Sequence, residues 1–183
     1  MNEPAQGISV GCTDNRVYVR IVGRGTFQNS QPLRQFALHE LDQGHQQFVV
    51  DLSHCLGMDS TFLGVLAGIG LRLRERAGPA AMHIINISPR NLDLLQTLGL
   101  NRLFILNSTA PPPLAETDYH LLPDTDLTRL AHPVNKDETA GLMIEAHDNL
   151  VRADDRNEPK FRELIRFLRE AIERRRRNRE TTK

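Results

Sequence analysis

The chain of 183 residues balances 23 lysines and arginines against 23 acids, for a formal net charge of zero. That length suits one domain, or one small domain with an appendage, and the neutral balance argues against a protein that grips nucleic acid through its whole surface. With no tryptophan and seven phenylalanines, the core must rest mainly on aliphatic side chains.

The opening residues MNEPAQG show neither the basic start nor the apolar segment of a secretory signal, so a cytoplasmic location is expected. Residues 8–12 and 16–22 (ISVGC, RVYVRIV) are rich in strand formers and flank a turn at Thr13–Asp14–Asn15, predicting a hairpin. After the loop GRGTFQNS, the segment PLRQFALHELDQG places Leu33, Phe36, Ala37, Leu38 and Leu41 on one helical face, with Gly44 as the stop. Residues 47–52 read as a short buried strand and Ser60–Arg76 as a helix carrying Leu63, Leu66, Ile69 and Leu73 on one face. A strand follows over 81–87. Ser88–Pro89 then opens a helix that runs to Gly99, before a last strand at 102–106. The order β-β-α-β-α-β-α-β predicts an α/β fold, a mixed and mostly parallel sheet with helices packed against it.

The character changes at residue 107. Residues 107–136 contain Pro111–Pro112–Pro113 and no period, and read as a linker or a strap along the domain surface. Residues 137–177 predict a C-terminal helical hairpin. Its first helix has Met143, His147, Leu150 and Val151 on one face, and its second has Phe161, Leu164, Ile165, Leu168 and Ile172. Residues 178–183 form a tail. No stretch is long enough to insert in a membrane: the longest apolar run, Phe62–Leu71, is followed by Arg72, Arg74 and Arg76.

Within this frame, residues 51–64 read DLSHCLGMDSTFLG, a strand end, a loop, and a hydroxyl pair opening a helix behind Asp59. This signature, together with the β/α order of residues 8–106, resembles the STAS domain, the fold of anti-sigma factor antagonists. The resemblance spans about residues 8–106 of a first domain taken as 1–106, and its most specific piece is Asp59–Ser60–Thr61–Phe62–Leu63–Gly64. It implies phosphorylation of Ser60 by an anti-sigma factor serine kinase, with Thr61 in reserve, and resetting by a PP2C-type phosphatase. It also implies that the kinase docks on the 23–30 loop (Arg24, Thr26, Asn29, Ser30) and on the loop–helix junction (Leu56, Met58, Asp59, Phe62). A non-enzymatic regulator of transcription in a bacterial cytoplasm is the expected function. The alternative is an accessory or scaffold STAS subunit, associated with a transporter or a stress complex, without phospho-switching. The loop from Gly23 to Ser30 holds no acid, where the antagonists usually carry one.

A helix N-terminus leaves several N–H groups unpaired and favours negative charge, so a phosphate on Ser60 is compatible with its own helix. As a plain N-terminal cap, the serine would contribute only about 1 kcal/mol. Other constellations are weaker. Asp51, His54 and Cys55 lack zinc spacing and an orienting third group for a nucleophile, and Ser60 stands outside any G-x-S-x-G elbow. Gly23–Arg24–Gly25 is too short to cradle phosphates. Cys12 and Cys55 show no metal-type spacing, and Glu145, His147, Asp148, Asp154 and Asp155 read as surface charge with His147 a packing residue. No catalytic residue, cofactor, metal site or nucleic-acid partner is expected. The arginine run at 174–177 and 179 reads as a solvated helix end that folds back or self-associates, and the hairpin stripe is expected to cover the STAS domain or to form a homodimer.

Overall fold

A tight turn closed by Thr13 N–H donating to the Arg16 carbonyl joins β1 (Gly7–Cys12) to β2 (Arg16–Gly25) as an antiparallel hairpin. The computed structural model describes residues 6–13, 15–79, 81–106, 114–115, 118–122 and 135–181. The helix α1 (Phe27–Asp42) leads to β3 (Gln47–Met58), then α2 (Ser60–Ala77), β4 (Met82–Ile85), α3 (Pro89–Thr97) and β5 (Ile105–Leu106). A short β6 (His120–Leu121) precedes α4 (Lys136–Ala153) and α5 (Glu158–Thr181). The sheet order is β5-β4-β3-β2-β1-β6. β2 to β5 are parallel, while β1 is antiparallel to both its neighbours. The mixed, mostly parallel sheet is therefore as the alternating pattern predicts.

Several element boundaries differ from the sequence reading. β2 runs on to Gly25 and draws β3 with it to Met58, across two irregularities opposite Arg20–Val22 and Gly23–Arg24. The polar Ser53 and His54 hide this extension, because they break the apolar run while the backbone pairing continues. α1 starts at Phe27, so Pro32 lies inside the helix rather than at its start. Gly99, at φ +70°, opens a 3₁₀ turn over Leu100–Arg102, and only Ile105–Leu106 remains for the strand. The final helix extends to Thr181, past the expected end at 177.

α2 is buried on nearly every side from Thr61 to Leu71. The expected face, Leu63, Leu66, Ile69 and Leu73, is only part of what it hides. A helix that is apolar all round must be covered from two directions, and here α4 covers the side that the sheet does not. Ala146 and Leu150 of α4 join the same core as Leu33 of α1, Phe48 and Val50 of β3 and Phe62 of α2. The hairpin thus packs on the first domain. On the opposite sheet face Tyr18, Val49 and Ile85 pack with Leu114 and Tyr119. The strap reading of 107–136 falls largely outside the described residues, but β6 and Tyr119 do lie along the sheet.

Candidate functional site

Asp59 fixes the geometry of the junction. One carboxylate oxygen accepts from Phe62 N–H at 2.8 Å and the other from Phe27 N–H at 2.8 Å, so a single side chain caps α2 and α1 together. Its own N–H donates to the Gly25 carbonyl at 2.9 Å, tying the end of β2 to the same point. The 23–30 segment is held alongside: Asn29 Oδ1 accepts from Thr26 N–H at 2.8 Å, and Ser30 Oγ donates to the Thr26 carbonyl at 2.7 Å. Gly25 lies so near the Phe62 ring that an added Cβ would come within 2.6 Å of it. The Gly-Arg-Gly sequence therefore serves close packing against Phe62.

Ser60 opens α2 half-exposed, and its hydroxyl lies 2.9 Å from His147 Nε2 of α4. His147 Nδ1 is 2.6 Å from the Met143 carbonyl, one helical turn back, and must donate to it. In the neutral ring Nε2 is then the acceptor and Ser60 O–H the donor. The imidazole is 1% exposed and tilts against Phe161 of α5, with ring centroids 4.8 Å apart. Thr61, the reserve hydroxyl, is buried.

The surface around Ser60 is narrower than the motif implies. Leu56, 64% exposed, and Arg24 project to solvent. Thr26, Asn29 and Asp59 are partly exposed. Met58, Phe62 and Ser30 are buried, and in this conformation they shape the surface from below without reaching a partner. Behind Ser60, α4 lies close on α2. A Cβ on Gly64 would overlap the Ala146 backbone, and one on Gly68 would meet the Asn149 amide. Ion pairs frame this contact, Arg34–Glu145 at 2.8 Å and Arg152–Glu75 at 3.4 Å. Sequence reasoning placed His147 on the packing stripe but could not find its partner 87 residues away.

The remaining candidates are engaged elsewhere. Asp51 is buried, accepts from Ser53 N–H and Asn86 Nδ2, and lies 3.5 Å from the Arg20 guanidinium. Burial pushes the Cys55 thiol above its ordinary pKa, and its nearest acceptor is the Gly57 carbonyl, so neither residue forms a nucleophile set with the exposed His54. In the arginine run, Arg175 and Arg179 both reach Asp137 at the start of α4, at 2.6 and 2.8 Å. Among the described residues no helix is long and apolar enough to cross a membrane.

A family model described as "Mlab, STAS domain" matches residues 8–107, more than half of the chain. The chain belongs to the STAS domain family. The STAS region is similar in structure to the anti-sigma factor antagonist SpoIIAA in its unphosphorylated form, at 18% identity over 57% of this chain and 90% of that one, with a TM-score of 0.48. It is also similar to the Bacillus cell fate determinant SpoIIAA in its phosphorylated form, at 20% identity over 56% and 93% of the two chains, again with a TM-score of 0.48. No curated protein matches the chain. In this STAS domain the acid–hydroxyl junction at Asp59–Ser60 faces a helical hairpin that lies beyond the matched residues.

Proposed function

We propose that this STAS protein is a non-enzymatic, cytoplasmic partner-switching regulator of the anti-sigma factor antagonist type. In this reading it binds an anti-sigma serine kinase at the end of α2, is released by phosphorylation of Ser60, and is reset by a PP2C-type phosphatase. The carrying observation is the Ser60 hydroxyl at the first position of α2, presented by the doubly capping Asp59 and reporting to a second element through His147. A phosphate there adds about −1.5 to −2 charges beside Asp59 and Leu56. A phosphate on Oγ replaces the hydroxyl proton that bonds Nε2 at 2.9 Å, and so removes the contact that seats α4 at Ser60. The hairpin is then an internal competitor for the face the partner uses. Transcription is the level at which a freed sigma factor would act.

Incubation of the full chain with a kinase encoded beside its gene, ATP and site mapping by mass spectrometry tests this. Phosphate on Ser60 is expected, with faster incorporation in His147→Ala, where the hydroxyl is unheld. Absence of label from Ser60 in both proteins overturns the switching reading. A second reading, an accessory or scaffold subunit, is favoured by the same covered face: Ser60 is then a structural donor to a buried histidine. Capture of transport ATPase subunits with no kinase would support it.

A further inference from the structure

We propose that Cys12, Glu40 and His45 form a zinc-class metal site, away from the Ser60 junction. Three elements deliver the donors: the last residue of β1, the final turn of α1, and the turn that follows it. The Cys12 Sγ, a Glu40 carboxylate oxygen and a His45 ring nitrogen all lie within 4.8 Å of one another. Glu40 Oε2 is 3.0 Å from His45 Nδ1 and 3.4 Å from Cys12 Sγ. Donors bound to one tetrahedral zinc, at metal distances of about 2.0–2.3 Å, sit roughly 3.3–3.7 Å apart. The 3.4 Å edge falls in that range and the 3.0 Å edge lies a little inside it, so small side-chain rotations bring the three donors to a ligand set.

The scaffold holds the histidine in place. At the end of α1, Gly44 takes φ +96°, its N–H donates to the Leu41 carbonyl, and His45 N–H donates to the Glu40 carbonyl at 3.1 Å. This paired closure sets the imidazole directly beside the Glu40 side chain. His45 Nε2 lies 3.2 Å from the Thr13 carbonyl. His45 Nδ1 lies 3.0 Å from Glu40 Oε2 and 3.3 Å from the Glu40 carbonyl; a metal ion at Nδ1 would shift the ring proton to Nε2, where the Thr13 carbonyl accepts it, the way a ligating histidine is oriented by its second nitrogen. Thiolate, imidazole and carboxylate together select a borderline-soft divalent ion, with a fourth position left to solvent. The site escapes sequence inspection because 28 and five residues separate its members.

Cobalt(II) titration of the reduced full chain, read by absorption, tests the site. One equivalent is expected to bind with a near-ultraviolet thiolate-to-cobalt band and the intense visible bands of tetrahedral coordination, all displaced by zinc. The band should vanish in Cys12→Ser and survive in Cys55→Ala, and His45→Ala should weaken binding at least about tenfold, given that even supporting contacts of a metal site cost about 10–100-fold. A missing band, a band that persists in Cys12→Ser, or binding only at millimolar metal each overturns the proposal. Circular dichroism of each variant checks the fold. Should Cys12→Ser fail to fold, the wild-type spectrum against that of Cys55→Ala still decides which thiol binds.

Discussion

A single methyl group on Gly64 would collide with the backbone of Ala146, whereas one on Gly141, on the same hairpin, meets nothing within 4 Å. The two glycines therefore separate helix propensity from docking. Gly141→Ala is expected to be neutral or to stabilise by up to about 1 kcal/mol, the helical preference for alanine. Gly64→Ala gains the same local preference yet should cost about 1–3 kcal/mol net, because α4 must shift outward from a close-packed contact. Urea unfolding of both variants checks the sign. At Cys12 the raised pKa gives a second residue-scale prediction. Although the residue is exposed, its metal-free thiol should be alkylated near pH 8 far more slowly than a free cysteine, because partial desolvation of the sulfur and the Glu40 charge both disfavour the thiolate. Glu40→Gln removes one cause and should speed the reaction, as timed with iodoacetamide.

At the scale of elements, the turn between α4 and α5 is the second anchor of the hairpin. Asn157, 1% exposed, donates through Nδ2 to the Leu98 and Leu150 carbonyls at 2.9 Å each, bridging the hairpin to the end of α3. Beside it, hydrogen bonds from Arg156, and then the nearby Arg102 charge, hold the Asp154 carboxyl well below the ordinary carboxylate range against the opposing effect of burial. A carboxyl depressed in the folded state stabilises at pH above its unfolded value of about 3.9, and that contribution fades as pH falls further. Asp154→Asn should thus be less stable than wild type at pH 7, with the gap closing below pH of about 4, as followed by thermal unfolding across pH. The hairpin was legible as two helices because its stripes keep the helical period. Its seat was not. The sequence shows one apolar face of α2, Leu63, Leu66, Ile69 and Leu73, but Gly64 and Gly68 carry no side chain to announce that a helix passes over them. The candidate site divides in the same way. Asp59, Ser60 and the Thr26–Asn29 cap are local features that a motif can reveal, whereas the Ser60–His147 contact depends on two chain segments meeting in space.

For the whole molecule, the contact between Ser60 and His147 makes modification and hairpin docking a linked pair. Docked α4 holds His147 2.9 Å from the Ser60 hydroxyl, so a phosphate at Ser60 would cost this contact and oppose full seating of α4. Linkage then requires reciprocity: whatever factor phosphorylation takes from docking, docking takes from the affinity for the modified state. The part of the core formed by α1, α2 and the sheet stays in place in either state, so the expected response is an opening of α4 rather than unfolding. A coupling of about 1–3 kcal/mol corresponds to roughly 5–150-fold. In phosphorylated or Ser60→Asp protein, amides of α4 around Ala146–Leu150 should therefore exchange hydrogen faster by a factor in that range, while those of β2 and β3 keep their protection. His147→Ala should produce part of the same acceleration without added charge. Unchanged α4 protection in Ser60→Asp would show that the hairpin is a fixed part of the domain, leaving Ser60 its role as donor to a buried histidine.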